Sequence, residues 1–449
     1  MSDAIWKKLE ERIEWLIEQE KFAELQSLLE DVHPADIAFI LSRLDRVSQH
    51  IVFDLLGSET ASDVLVELSD HTQERVLGEL DEQRLADLVD MLDSDEAADV
   101  LGSVEPEIAE KVLETLPEEQ KSDVQQLLTY DEDTAGGIMS TELVSVEESM
   151  TVEEVIDEVR SAADRVDDIY AIWVVDSDGV LRGSVTLKNL ILAEPNTRVG
   201  SLMDSDVRPV VVDMDQEEVV HIMRRYDLVA APVVDSSGKL LGRITWDDAI
   251  DVMNEESEED LGYISGTGEE EPSARSVFNS SRERIPWLIA GLFGGIISAL
   301  VMSGFEQSLN HIIVLAFFVP IITAMGGNVG MQSSTIIVRG LATGEITYDD
   351  AGQRIAKELG VALLNGAMLG LILTLIIWFW QKELEISLVI SFSLLVVILV
   401  SSIIGVAAPL MLKKINIDPA LAMGPFVTIS NDIFGVFIYL SIATVLLVH

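Results

Sequence analysis

From residue 281 to the carboxyl terminus, charge is so sparse that five stretches, about 286–303, 312–338, 359–380, 386–412 and 420–448, are apolar over enough residues to cross a bilayer as helices. No other feature narrows the possible folds as far. In hydrocarbon every backbone N–H and C=O must be satisfied within the structure, so segments of this length form a helix bundle. The flanking bases orient it. Threading five spans puts Arg282, Arg284, Arg339, Arg354, Lys357, Lys413 and Lys414 on one side and Lys382 alone on the other. Bases accumulate on the cytoplasmic side. The expectation is a protein integral to the cell (inner) membrane, with its amino-terminal part in the cytoplasm and His449 outside.

The preceding 280 residues differ completely. Ten Asp or Glu and eight Lys or Arg lie from residue 281 onward, so all but two charges of the net −49 belong to the first 280. Such a surface repels phosphate backbones, which excludes nucleic acid as a partner and favours cations. The opening MSDAIWKKLEERIEWL has no apolar core with a small-residue cleavage site, so it reads as an unexported terminus. With zero cysteines, thiolate zinc and iron–sulfur sites are ruled out, and the six histidines show no ligand spacing. A metal here would meet oxygen, the preference of Mg2+ or Ca2+. Salt adaptation is a second source of acidity, and most carboxylates read as a solvated face.

Two repeats organise this acidic part. Ile40, Val52, Val64, Val76, Leu88, Val100, Val112 and Val124 recur every 12 residues, and Leu44, Leu56, Leu68, Leu80, Leu92, Val104, Leu116 and Leu128 follow four residues behind. Positions i and i+4 share a helix face, so the pattern predicts eight short amphipathic helices stacked as an α-solenoid. Further on, IYAIWVVDSDGVLRGSVTLKNLI (169–191) matches LVAAPVVDSSGKLLGRITWDDAI (228–250) at an offset of 59. Each copy has a helix-like lead-in, a β-rich run ending in Val-Val-Asp, a glycine turn, a short strand and a helix start. This doubled β-α-β-β-α unit resembles a tandem cystathionine-β-synthase (CBS) domain pair.

Within the five stretches Asp432 is the only residue charged at neutral pH. It lies 12 residues past the start of the last one, roughly 18 Å in and near the midplane. An intramembrane carboxylate marks an ion pathway by default; the alternative is a protonated acid bonded to a neighbouring helix. Gly424, Thr428 and Asp432 are spaced by four and line one face, leaving room for a hydrated cation. Asn328 lies in PIITAMGGNVGMQSST, whose glycines mark either the wall of a cavity or a kink for close packing. Mg2+ sheds water reluctantly, so two carboxylates facing across a dimer axis suit the hydrated ion better than a tight cage.

In their order, HPADIA (33–38), DTAGGIM (133–139), GRITWDDAIDV (242–252), VPIITAMGGNVGMQSST (319–335) and DPALAMGPFVTISNDIFG (418–435) resemble the MgtE family of magnesium channels or transporters. The resemblance covers nearly the whole chain. It implies a multidomain membrane protein with a solenoid over 1–137, CBS copies over 138–199 and 200–260, a linker or plug helix over 261–284 and five transmembrane helices over 285–449. It further implies a homodimer in the lipid bilayer with a Mg2+-selective pore, closed when its cytoplasmic domains bind Mg2+ and move the plug. Carried over residue by residue, Asp432 is the pore carboxylate, and Asp227, Asp248, Asp251, Glu256, Glu259 and Asp260 are sensing acids, with Asp95 on the solenoid side. Family CBS pairs can bind ATP, where the last residue of a Thr-x-x-Asp run meets ribose. Here the first copy reads Thr186 to Asn189 and only the second keeps Thr245 and Asp248, so ATP is expected to bind weakly or not at all. Gly424 can offer only backbone to the pore.

Other functions fit less well. A coupled exchanger would use Asp432 for Na+ or H+ in turn, yet five spans do not divide into inverted halves. A membrane-anchored divalent-cation sensor would not need a midplane carboxylate. Enzymatic activity lacks a nucleophile–base pair, a phosphate loop or a zinc motif.

Overall fold

The 12-residue periodicity sets one helix per repeat, because a starting signal recurs ahead of each apolar run. The computed structural model describes residues 3–447 apart from 164, 167, 266–276, 343–345, 347–350 and 416. After α1 (Asp3–Glu18) and α2 (Phe22–Leu29) come α3 (Pro34–Leu41), α4 (Arg46–Asp54), α5 (Ser58–Val66), α6 (Asp70–Leu77), α7 (Glu82–Val89), α8 (Ser94–Gly102), α9 (Pro106–Thr115) and α10 (Glu118–Leu127). The HPADIA run starts α3: His33 accepts from the Ala35 N–H and Pro34 occupies the first turn. Asp45 and Asp81 cap α4 and α7 in the same way.

All eight members of the leading series, Ile40 to Val124, are buried. The second series does not continue the helix face as its spacing suggested. Leu44, Leu56, Leu68, Leu92 and Leu116 lie just past the helix ends and are buried in the turns. Twelve residues hold one helix of eight to ten plus its connection, so the second apolar position closes the turn. Packing then skips a neighbour: α3 meets α5, α5 meets α7, α7 meets α9, and α8 meets α10.

Both CBS-like copies fold alike. β1 (Val144–Glu147), α11 (Val152–Ala162), β2 (Ile172–Val175), β3 (Leu181–Val185) and α12 (Leu187–Leu192) are followed by β4 (Val210–Val211), α13 (Gln216–Tyr226), β5 (Ala230–Val234), β6 (Leu240–Thr245) and α14 (Trp246–Ser265). In each sheet the first strand runs parallel to the second and the second antiparallel to the third. The Asp ending each Val-Val-Asp run shapes the hairpin. Asp176 accepts from the Asp178 and Val180 N–H groups, and Asp235 from Ser237 and Lys239. Gly179 and Gly238 take the positive φ those turns require.

The chain divides into two units, Met1–Val252 and Met253–His449. α14 passes residue 260 unbroken, where the sequence placed a domain boundary. Much of the expected linker, 266–276, lies outside the described residues. The second unit holds α15 (Val277–Gly304), the short α16 (Glu306–His311), α17 (Val314–Ala342), α18 (Ala351–Gln381), α19 (Leu384–Lys414) and α20 (Pro425–Leu447). Among the described residues, five helices are long and apolar enough to span. α19 is the most enclosed and packs against α17, α18 and α20.

Two expectations about the spans change. The third runs from Gly352, not 359, which brings Arg354, Lys357 and Glu358 into it, so Asp432 is not the only charged residue in the spans. The last begins with a 3-10 turn at Pro419–Ala422 and becomes α-helical only at Pro425. Asp432 therefore lies seven residues, about 10 Å, into helix α20.

Candidate functional site

In α20 the carboxylate of Asp432 is half-buried and makes no hydrogen bond or ion pair with any described residue. Its main chain does: Ser298 of α15 donates to the Asp432 carbonyl at 3.4 Å. A neighbouring helix of the same chain therefore does not satisfy this acid, contrary to the bonded-acid alternative. Thr428, one turn earlier, is exposed; its N–H and hydroxyl both reach the Gly424 carbonyl, at 3.2 and 3.0 Å. Gly424 itself is buried, with φ +58 at the break before the helix. Its carbonyl is engaged by Thr428, which leaves the hydroxyl oxygen and the carboxylate as the open acceptors on this face. Asn328 is exposed on α17.

The sensing acids named from sequence separate into two places. Within the first unit, Asp95 and Asp248 come together with three acids that sequence reasoning missed: Asp93, Glu96 and Glu142. One oxygen from each of Asp93, Asp95 and Glu142 lies within 4.8 Å of the others. Local folding explains the convergence. Asp93 and Glu96 form the capping box that starts α8, which fixes Asp95 in the first turn. The DTAGGIM segment is bound along the second CBS copy, Ala135 donating to Met214, Gly136 to Val212 and Ser140 to Arg243. A side chain on Gly137 would strike the Asp131 and Glu132 main chain, so only glycine makes this bend. The bend delivers Glu142 to the N-terminus of α8, where it accepts from the Ser94 N–H and hydroxyl at 3.2 and 2.7 Å.

Asp95 Oδ1 is buried without a hydrogen-bond partner. Asp95, Glu96, Glu142 and Asp248 form no ion pair with Lys or Arg among the described residues. Burial, then the charges of Asp248, Glu96, Asp93 and Glu142, hold the Asp95 carboxyl well above its ordinary range. Burial and Asp93 push Glu96 up to about 7. Asp248 is raised by burial, and Asp251 by burial and then by Asp248 and Glu67. A largely buried, acceptor-only carboxylate cluster is the donor set a hard divalent cation uses, and within it the Arg243 charge acts on Asp248.

Glu256, Glu259 and Asp260 lie in the second unit. Burial, followed by Asp418 and Glu259, pushes Asp260 up to about 6. Asp418 caps the 3-10 turn by accepting from the Ala420 N–H at 2.9 Å. One turn beyond Asp260, Tyr263 packs against a cluster of Val338, Ala420 and Met423. The end of α14 thus meets α17 and the turn leading to Gly424. Glu256 lies on the same helix. The acid run 248–260, read from sequence as one cluster, faces two separate sets of carboxylates. Asp227 joins neither: it is the exposed left-handed cap of α13, with φ +52.

The two Thr-x-x-(Asn/Asp) positions also differ. Thr186 caps the Asn189 N–H at 3.3 Å, and Asn189 is exposed. In the second copy, Asp248 Oδ2 accepts from both the N–H and hydroxyl of Thr245, at 2.8 and 2.7 Å. Asp248 is therefore tied to its own helix start and to the acid cluster.

Comparison with known proteins bears on the same three regions. A family model described as MgtE, divalent cation transporter, matches residues 319–442; one for the MgtE intracellular N domain matches 32–133; and CBS domains match 135–196 and 199–255. The magnesium transporter MgtE of Thermus thermophilus is 38% identical over 325 residues, 71% of each chain. That of Bacillus subtilis is 30% identical over 433 residues, 96% of each chain. A crystal structure of the cytosolic domain of the Mg2+ channel MgtE in complex with ATP superposes with a TM-score of 0.51 at 37% identity, covering 54% of this chain and 98% of that one. The soluble part of a magnesium transporter matches with a TM-score of 0.51 at 28% identity, covering 56% of this chain and 99% of that one.

Proposed function

The chain belongs to the MgtE family of Mg2+ transporters, and from that membership we propose that it is a Mg2+-selective channel, passive and homodimeric, which admits Mg2+ and is closed by intracellular Mg2+. The observation that carries this reading is the Asp432 carboxylate, within the last span and without a partner among the described residues of its own chain. Asp432, Thr428, Gly424 and Asn328 form the pathway wall. The acidic unit lies in the cytoplasm and the carboxyl terminus outside. A divalent ion gains about 4.6 kcal/mol from 100 mV inside negative, so no coupled energy source is needed. Liposomes holding the protein and a Mg2+ indicator test this. Mg2+ should enter in response to an imposed potential with no Na+ or proton gradient; entry only with such a gradient would favour the exchanger.

Closure begins at the two acid sets. Mg2+ binds the Asp93, Asp95 and Glu142 oxygens with Asp248 beside them, and bridges Asp260, Glu259 and Asp418 beneath the turn that leads to Gly424. Bridging relieves carboxylate repulsion and draws the end of α14 onto that turn. Asp251 and Glu256 add to the local field, whereas Asp227, alone on the surface, contributes least.

The raised carboxyls fix how pH enters. A carboxyl raised in the folded state binds protons more tightly there than in the unfolded chain. Without metal, stability is therefore gained as pH falls from above 7 towards 4.5, the ordinary value for Glu96, and is lost as pH rises through about 7. Mg2+ needs the deprotonated form, so its binding releases protons near pH 6.5 and weakens as pH falls through about 7. Calorimetry of the full-length protein in two buffers of different ionisation enthalpy should give different heats. Equal heats would remove the raised acids from the Mg2+ sites.

ATP binds weakly or not at all. Asn189 offers ribose a neutral acceptor, giving up hydrogen bonds roughly twice as strong, and Asp248 is committed to Thr245. The ATP-bound structural relative makes this a direct contrast. Titration with ATP should show no saturable heat at micromolar concentrations; tight binding would contradict it. Asn189→Asp should strengthen binding.

A further inference from the structure

Asp432 has a counterpart inside the bundle. Glu358 lies six residues, about 9 Å, into the third span. Among the described residues it has no Lys or Arg partner. Its carboxylate accepts from the Ser333 hydroxyl of α17 at 3.0 Å, and that hydroxyl stands 3.3 Å from the Ser402 hydroxyl of α19. Ser333 and Ser402 are 3% and 1% exposed. Three helices therefore bring three side-chain oxygens together within the bundle. Close approach makes this possible: a methyl on Gly405, one turn from Ser402, would collide with the Gly330 carbonyl.

A second observation comes from α20. Asn431 is 1% exposed, and neither its amide nitrogen nor its oxygen has a hydrogen-bond partner. Its amide is seated against Gly330, where any Cβ would strike it. Gly330, Ser333 and Ser334 share one buried face of α17, and the Ser334 hydroxyl is also buried without a partner. Buried polar groups are nearly always hydrogen-bonded, so the Asn431 amide seated against Gly330 and the Ser334 hydroxyl beside Ser333, orphaned on facing helices, call for a ligand.

We propose that each protomer holds a second cation site within its own helix bundle, built on Glu358, Ser333, Ser402 and Asn431, that takes a monovalent alkali cation of the size of Na+. The charge count selects the class. One carboxylate among neutral hydroxyl and carboxamide oxygens balances a single positive charge. Mg2+ demands near-ideal octahedral geometry and keeps its waters. An ion there ties α17, α18, α19 and α20 together and offsets the cost of a carboxylate packed between helices without a basic partner among the described residues.

Thermal unfolding of the full-length protein without Mg2+, at constant ionic strength, compares Na+ with N-methyl-D-glucamine. Na+ at ten times its dissociation constant should raise Tm by about 3 °C. Glu358→Gln and Ser402→Ala should each lose most of that shift, while Asp432→Asn keeps it. Should Glu358→Gln fail to fold, 22Na+ binding to the wild-type and Ser402→Ala proteins decides, with one saturable ion per chain expected in the former and weakened binding in the latter. Equal Tm in both salts, an undiminished shift in Glu358→Gln, loss of the shift in Asp432→Asn, or no saturable 22Na+ would each overturn the site. The serine–glutamate contacts would then be interhelical hydrogen bonds alone.

Discussion

Asp432→Ala should reduce Mg2+ flux through the reconstituted protein to background, a loss of at least about 100-fold, while the protein still folds and assembles. A divalent ion about 5 Å from one carboxylate gains on the order of 6 kcal/mol at an effective dielectric of 20, whereas a 100-fold loss needs only about 2.7 kcal/mol. Because no described residue of the same chain bonds this carboxylate, its removal leaves no orphaned partner and little reason to unfold. Asp432→Asn keeps the shape, loses the charge and should be nearly as inactive. Radiometric or dye-based uptake beside size-exclusion profiles is the check. Uptake at the wild-type rate in either variant would return Asp432 to the role of a buried acid.

Deleting residues 1–250 should give a channel that conducts but has lost inhibition by millimolar internal Mg2+. The half-inhibiting concentration should rise at least about tenfold. The second unit begins at Met253, so the truncated chain keeps Tyr263 against Val338, Ala420 and Met423 and loses the Asp95 cluster entirely. A swing from 1:99 to 99:1 between open and closed needs about 5.5 kcal/mol of differential binding, which several weak sites supply together. Neutralising Asp248, Asp251 and Glu259 together should move the same curve by a smaller factor, and equal K+ should not replace Mg2+. Full inhibition surviving the truncation would place the sensor in the second unit, at the Asp260 and Asp418 set or among the membrane helices, and remove the Asp95 cluster from gating.

Much of this architecture is legible in the sequence because it repeats. The 12-residue spacing marks each solenoid helix, and the offset of 59 marks both CBS-like copies down to a register shift at Val174/Val175 and again at Val233/Val234. Periodicity misled at Leu44 and its successors, since i and i+4 spacing also fits a helix that stops and a turn that closes under it. The acid cluster was half-visible: Asp95 and Asp248 carry the family pattern, but Glu142 reaches Ser94 across 48 residues through the bend at Gly137. Only the Asp93/Glu96 capping pattern hinted at it. Glu358 was missed by one residue, because a window that seeks apolar runs starts after the last charge. Asn431 was overshadowed by Asp432, and only packing against Gly330 shows that its amide is unpartnered.

Gated Mg2+ conduction is read as current from the full-length protein in lipid, with Mg2+ as the only permeant cation and cytoplasmic Mg2+ varied. The expected record is an inward Mg2+ current at low cytoplasmic Mg2+ that disappears as cytoplasmic Mg2+ reaches the millimolar range and returns when it is removed. A current indifferent to cytoplasmic Mg2+, or Mg2+ movement that requires a counter-ion and produces no current of its own, would contradict it.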